Sequence, residues 1–232
     1  MNWKWPKSML TGFLKQYAHC LLNISFTGGN MEKKIRILNL YAGIGGNRKL
    51  WPNDEIEVTA VELNPEIAKI YQDFFPKDKV IIGDAHQYLL DHYKEFEFIW
   101  SSPPCQTHSI CNNFLHNQGI IRYPDMNLYQ EIIFLKRYAK CKWVVENVKP
   151  YYEPLIKPQI AGRHRLWANF HITNFKTPHN DIGTMNRQAS SQTQQVACKK
   201  PLIERNAVYS PLGLHIFNCA FKEKQQTLTH TP

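Results

Sequence analysis

The sequence contains no uncharged apolar run of about 20 residues, so it predicts no membrane-spanning helix. Its six cysteines include no C-x-x-C pair, and no set of Cys and His residues has zinc-finger spacing. Reduced thiols in a cytosolic protein are therefore expected, with no bound metal. Internal repeats are also absent.

Basic residues are in excess: 28 Lys and Arg stand against 19 Asp and Glu, a formal net charge of +9. This balance favours a polyanionic partner, although a soluble basic protein with no such partner has the same composition. With 232 residues, 43% of them hydrophobic and 12% aromatic, the chain is long and apolar enough for one domain with a sizeable core.

The first 30 residues differ from the rest, because they contain lysines but no acid and end in Gly28-Gly29-Asn30. Met31 precedes the first clear strand pattern, so residues 1–30 are interpreted as a non-essential N-terminal extension and Met31 as the natural start. The alternative is a small basic arm that contacts nucleic acid.

Strand and helix patterns alternate along the chain from residue 35. Strands are predicted at 35–40, 56–62, 80–82, 96–100, 143–146 and 165–172, and helices after Asn64 and at 85–93, 128–139 and 211–221. The alternation predicts an α/β fold with a mostly parallel sheet flanked by helices.

Three features follow successive strands at the edge where open α/β sheets bind ligands. The glycines of Gly43-Ile44-Gly45-Gly46 follow strand one, while Glu62 ends strand two and Asp84 follows strand three. Neither a G-x-G-x-x-G dinucleotide motif nor a nucleoside triphosphate loop is present, so an adenosine ligand without a diphosphate fits better. S-adenosylmethionine is the expected cofactor, although each acid taken alone is equally interpretable as a loop cap or a solvated side chain.

Cys105 follows strand four directly after Pro103 and Pro104, which stiffen the backbone before the thiol. A largely polar stretch, residues 106–118, comes next and suits a loop that closes over a substrate. This setting favours a positioned nucleophile over the alternative of a buried structural thiol. The sequence offers no such setting for Cys111, Cys141, Cys198 or Cys219.

The order of motifs from about residue 35 to residue 213 resembles the cytosine-5 DNA methyltransferase family. Residues 39–46 resemble its cofactor motif, with Asn39 and Tyr41 in place of the usual Asp and Phe. Four further segments resemble its later motifs: Ser102-Pro103-Pro104-Cys105-Gln106, Glu146-Asn147-Val148, Gly162-Arg163-His164-Arg165, and Asn206-Ala207-Val208 with Arg205 in place of glycine. The family's R-x-L-T-x-R-E segment and a full target-recognition domain have no good match.

The resemblance implies the Rossmann-like fold of S-adenosylmethionine-dependent methyltransferases and transfer of a methyl group to C5 of cytosine in DNA. Cys105 would add to C6 of a flipped-out base, and Glu146 would contact N3 and N4 with a carboxyl able to stay protonated. Arg163 and Arg165 would hold the O2 of the base. Expected cofactor contacts are Tyr41, Gly43, Ile44, Gly45, Gly46, Glu62, Leu63, Asp84, Ala85, Pro103, Asn206 and Val208.

The resemblance also implies a domain plan and partners. Residues 31–170 would form the catalytic domain, 171–205 a reduced target-recognition region, and 206–232 a segment that returns to the catalytic domain. DNA is the expected partner, with a separate recognition subunit or a cognate restriction endonuclease as possible others, in the cytoplasm of a bacterial or phage-infected cell. Two alternatives stay open: a tRNA cytosine-5 methyltransferase of the same family, and a catalytically inactive relative that binds nucleic acid.

Overall fold

A computed structural model describes residues 33–176 and 207–221, and its centre is a seven-stranded sheet of order β3-β2-β1-β4-β5-β7-β6. The strands are β1 Ile35–Leu40, β2 Ile56–Glu62, β3 Lys79–Ile82, β4 Phe98–Ser101, β5 Lys142–Val148, β6 Gln159–Ala161 and β7 His164–Ala168.

Strands β1 to β5 are mutually parallel, whereas β7 runs antiparallel to both β5 and β6. The predicted mostly parallel α/β sheet is therefore confirmed. Parallel pairing brings the C-terminal ends of five strands to one edge of the sheet, and this edge carries the predicted site.

The helices cover both faces of this sheet. They are α1 Pro65–Phe74, α2 Ala85–His92, a 3-10 turn Tyr93–Glu95, α3 Asn112–His116, α4 Asn127–Tyr138 and α5 Ser210–Phe221. Alternate residues of a strand point to opposite faces, so β4 places Phe98 against the cluster that includes α5 and Ile99 against the cluster that includes α2 and α4. Within the described ranges, no helix is long and apolar enough to cross a bilayer.

Local sequence explains how α1 begins. The side chain of Asn64 accepts hydrogen bonds from the backbone N–H groups of Glu66 and Ile67, and Pro65 occupies the first helical turn. These features satisfy backbone donors that have no partner inside the helix, as the sequence predicts.

The predicted sixth strand, residues 165–172, is wrong at its far end, because β7 stops at Ala168. The backbone N–H of the next residue, Asn169, still donates to the carbonyl of Trp143 at 3.4 Å. Its side chain accepts from the N–H of Trp143 and donates to the carbonyl of Cys141, so side-chain bonds take over where the regular ladder ends. The short strand β6 was not predicted, since three residues give too little pattern. Residues 1–30, most of 171–205, and Asn206 lie outside the described residues.

Candidate active site

The backbone around Cys105 is fixed between the ends of β4 and β5. The carbonyl of Cys105 accepts from the N–H groups of His108 and Ser109, both at 3.0 Å. Two residues earlier in the chain, the buried carbonyl of Pro103 accepts from the side-chain amide of Asn147 at 3.1 Å. Asn147 lies at the end of β5, so its bond fastens the Pro-Pro turn to the neighbouring strand.

The segment after Cys105 is also bonded to the loop that follows β5. The N–H of Ile110 donates to the carbonyl of Lys149, and the N–H of Tyr151 donates to the carbonyl of His108. In turn the N–H of Lys149 donates to the carbonyl of Arg163. The first turns of the predicted substrate loop are therefore bonded to the segment that follows β5, which is bonded in turn to the turn that contains Arg163. Helix α3 forms within that loop.

The ionisation of the Cys105 thiol is set by its surroundings. Burial is the largest influence and raises its pKa, and the charge of Glu146 raises it further. The guanidinium of Arg163 acts in the opposite direction and lowers the pKa. The thiol therefore lies close enough to both predicted partners to respond to their charges.

The carboxyl group of Glu146 is buried, with 5% of the residue exposed. Its Oε2 atom accepts from the hydroxyl of Ser102 at 3.0 Å, and that hydroxyl oxygen accepts from the indole N–H of Trp100 at 2.8 Å. Its Oε1 atom lies 2.6 Å from Nδ1 of His164. The acid is thus oriented from β4 on one side and from β7 on the other.

The two arginines of the Gly162-Arg163-His164-Arg165 motif make different hydrogen bonds. Arg163 donates from Nε to Nε2 of His164 at 3.2 Å and acts on the Cys105 thiol. Arg165 lies two residues later, within β7, and its Nη1 donates to the carbonyls of Gly162 and His164. The structure therefore places Arg163 where its charge acts on the thiol and links it to Glu146 through His164, while the hydrogen bonds of Arg165 are with its own turn.

The glycine motif after β1 folds back on the end of β2. Tyr41 has the left-handed φ of +53° that side chains rarely adopt, and Gly43 follows with φ +55°. The N–H of Gly43 donates to Oε2 of Glu62 at 2.9 Å, while the N–H of Asn64 donates to Oε1 at 3.0 Å. Two backbone donors thus hold this carboxylate at the mouth of the loop.

A buried ion pair anchors the far side of this loop. Arg48 donates from Nε and Nη2 to the two carboxylate oxygens of Asp78, at 2.9 and 3.1 Å, and both side chains are 4% exposed. The hydroxyl of Tyr71 in α1 also donates to Asp78 at 2.8 Å. A Cβ atom added to Gly45 would lie 2.3 Å from a ring carbon of Phe75, so the loop needs glycine there.

The C-terminal segment packs against the same loop. A Cβ atom on Gly46 would lie 2.5 Å from the carbonyl oxygen of Val208, so the backbone of Val208, a predicted cofactor contact, packs against the glycine motif. Asp84 caps α2 by accepting from the N–H of Gln87 at 2.9 Å, and Ala85 beside it is buried. Asp84 therefore acts as the N-terminal cap of α2, a capping role that its position in the sequence had left open.

Sequence reasoning missed Glu131, a fully buried acid on α4. Its carboxylate accepts from the hydroxyl of Tyr41 at 2.5 Å and from the hydroxyl of Ser101 at 2.6 Å, and it lies 3.2 Å from Nδ1 of His86. The hydrogen bond to Glu131 raises the pKa of His86, and burial followed by the charge of Glu131 raises that of Tyr41. Glu131 thus joins the cofactor motif to the strand that leads to Cys105. The sequence signal for its burial was its position three residues after Leu128, on the apolar face of α4.

Residues 35–154 match the model of the C-5 cytosine-specific DNA methylase family. These 120 residues are more than half of the chain, and they contain the glycine motif, Cys105 and Glu146. The chain belongs to this family.

Comparison with individual proteins adds a curated relative and several solved structures. A tRNA (cytosine(38)-C(5))-methyltransferase from Spodoptera frugiperda is 25% identical over 158 residues, which are 65% of this chain and 46% of that protein. The chain therefore spans less than half the length of this relative. Among solved structures, a putative methylase from Haemophilus influenzae is 18% identical with a TM-score of 0.39, covering 70% of this chain and 87% of that one. A SAM-dependent methyltransferase from Agrobacterium tumefaciens is 12% identical with a TM-score of 0.39, covering 64% and 47%.

The residues at the ends of β1 and β2 fit S-adenosylmethionine, the cofactor that membership of this family implies. Each oxygen of Glu62 accepts one backbone N–H and retains lone pairs for ribose hydroxyls. Leu63 is 70% exposed beside it and offers an apolar surface for a purine. A Cβ atom on Gly43 would meet nothing within 4 Å, so there is open space next to this carboxylate.

Proposed function

We propose that this protein transfers a methyl group from S-adenosylmethionine to C5 of cytosine in DNA. The observation that carries the proposal is the placement of Cys105 just after β4 and of Glu146 near the end of β5, the adjacent parallel strand, where the charge of Glu146 acts on the thiol. When bound, the cofactor supplies an electrophilic methyl group.

Cys105 would act as the nucleophile. Cytosine C5 is too weakly nucleophilic to accept a methyl group unaided, and addition of a thiolate at C6 converts the ring into an enamine that reacts at C5. The thiol must first lose its proton, which burial and Glu146 oppose and Arg163 assists. Keeping the thiol protonated until a base arrives also protects it from oxidation.

Glu146 would stabilise the charge that the addition places on the ring. Electron density moves to N3 and O2 when the thiolate adds, and a carboxyl group held in a buried site can donate a hydrogen bond or a proton to N3. The hydrogen bonds from Ser102 and His164 keep this carboxyl in one orientation. Because C6 lies inside the base stack, the base must leave the duplex, which costs a few kcal/mol.

DNA is proposed as the substrate because the matched family model is that of C-5 cytosine-specific DNA methylases. A specific observation favours tRNA as the second candidate, namely the tRNA methyltransferase of Spodoptera frugiperda among the relatives. Both substrates present the same reacting ring, so Cys105 and Glu146 would act identically on either.

The test is methyl transfer by the full chain from tritiated S-adenosylmethionine to unmethylated DNA and, separately, to unmodified tRNA. We expect 5-methylcytosine in DNA, its loss in Cys105→Ser, and its retention in Cys111→Ser, since Cys111 is an exposed cysteine outside the strand ends. Label in tRNA alone would establish the second candidate in place of the first. Methylation at N4, or full activity of Cys105→Ser, would contradict the mechanism on both substrates.

A further inference from the structure

A buried imidazole lies between the two charged groups that flank the nucleophile. His164 is 2% exposed at the first position of β7, with Nδ1 at 2.6 Å from Oε1 of Glu146 and Nε2 at 3.2 Å from Nε of Arg163. Strands β5 and β7 pair antiparallel with Glu146 opposite Leu166. His164 lies two residues before Leu166, so its side chain projects to the same face of the sheet as that of Glu146. The ring therefore bridges the acid and the cation.

The hydrogen-bond partners determine the tautomer of His164. The Nε atom of an arginine side chain only donates, so Nε2 of the imidazole must be the acceptor and carries no proton. The single proton of the neutral ring then resides on Nδ1 and is donated to Oε1 of Glu146. Oε1 is consequently held as an acceptor.

The other carboxyl oxygen is held by a partner that can reverse. The indole of Trp100 only donates, so one lone pair of the Ser102 hydroxyl is occupied and its proton is directed to Oε2 of Glu146. A hydroxyl oxygen has a second lone pair, so Ser102 can instead accept a proton that resides on Oε2. The two oxygens of the acid are thus unequal: Oε1 faces a fixed donor, whereas the hydrogen bond at Oε2 can reverse to accept a proton from the acid.

We propose that His164 is a positioning residue for the methyl-transfer reaction, which fixes Glu146 through its Nδ1–H and Arg163 through its Nε2. This inference rests on the proposed function of Glu146 and extends it. His164 directs the exchangeable proton of the acid to Oε2 and keeps the guanidinium near the Cys105 thiol. Loss of the imidazole would therefore slow the chemical step and leave substrate binding largely unchanged.

The experiment compares His164→Leu, which fills the space without hydrogen bonds, with His164→Asn, whose amide donates from a position close to Nδ1. We expect kcat of the leucine variant to fall roughly 10- to 100-fold on whichever nucleic acid the wild-type protein methylates. KM values for both substrates should stay within about twofold, and the asparagine variant should recover at least about half of the loss on a logarithmic scale. Circular dichroism on both variants verifies folding.

A second measurement needs no turnover: nitrogen-15 NMR of the histidine rings in the full chain. The signals that disappear in His164→Asn should show the Nδ1–H tautomer, and they should shift in Glu146→Gln. An Nε2–H tautomer, equal kcat values for the leucine and wild-type proteins, or an asparagine variant no better than leucine would overturn the proposal. If the wild-type protein methylates neither DNA nor tRNA, the proposed function fails and the tautomer alone decides the role of His164.

Discussion

Substitution of Asp78 by alanine tests how the glycine loop is anchored. Arg48 and Asp78 are both 4% exposed and share two hydrogen bonds, so the alanine variant leaves a guanidinium buried without its partner charge. Breaking a buried pair in this way costs about 3–5 kcal/mol in unfolding free energy. For a domain of this size the melting temperature should fall by roughly 6–20 °C.

A matched control lies on the surface of α1. Lys69 and Asp73 form an ion pair at 3.3 Å, but their side chains are 76% and 66% exposed. Water screens such a pair, so Asp73→Ala should change the unfolding free energy by at most about 0.5 kcal/mol. Both variants lose one aspartate from the same region, but Asp78 is buried with two further hydrogen bonds from Arg48 and Tyr71, whereas Asp73 is exposed.

The assay is thermal unfolding of the full chain followed by calorimetric titration with S-adenosylmethionine. Cofactor affinity should fall in Asp78→Ala, because Arg48 lies in the loop that begins with the cofactor motif, and it should be unchanged in Asp73→Ala. The double variant Arg48→Met with Asp78→Ala should be more stable than Asp78→Ala alone, since it removes the unpaired charge. Equal stability of the two single variants would refute the reasoning.

Three further perturbations probe the site. Gly45→Ala should lose at least about 1 kcal/mol of unfolding free energy and bind S-adenosylmethionine more weakly, because its backbone φ is +77°; unaltered melting would contradict this. Glu146→Gln should abolish methylation yet speed alkylation of Cys105 at neutral pH, because loss of the negative charge lowers the pKa of the thiol. Peptide mass spectrometry measures the alkylation, and a slower reaction would contradict the influence of Glu146 on the thiol. His86→Gln should lose more unfolding free energy at about pH 5.5 than at about pH 8, as measured by urea unfolding, because the hydrogen bond to Glu131 raises the pKa of His86. The stabilisation from His86 is full below about pH 6.5 and disappears as pH rises through the folded pKa. A loss independent of pH would argue against this.

Local patterns were sufficient to predict the strands that carry the site. Buried strands such as β1 and β4 are short apolar runs bounded by turn residues, and Cys105 and Glu146 follow or end such runs. Parallel pairing then brings these ends together wherever the strands are neighbours, which is the reason that the sheet edge could be anticipated. The roles assigned to the predicted site residues stay predictions.

The polar partners of the site could not be predicted in the same way. Asp78 has the sequence setting of a turn residue, and the spacing of Glu131 from Leu128 indicates only that this acid lies on the apolar face of α4. Their partners Arg48 and Tyr41 lie 30 and 90 residues away in the chain. His164 stands between two arginines, where strand alternation indicates only that it shares a face with Leu166. Buried polar groups take partners from whichever elements the fold brings near, and a sequence pattern does not specify those pairs.

The most direct test of the central claim is covalent trapping by a DNA oligonucleotide that contains 5-fluorocytosine. Fluorine at C5 blocks the proton loss that would otherwise release the enzyme, so an attacking thiol stays bonded to C6. The full chain with S-adenosylmethionine should give one complex stable to denaturation, with the DNA on the peptide that contains Cys105 and no complex in Cys105→Ser. The same complex on another cysteine, or methylation of ordinary DNA without any trapped complex, would contradict the account.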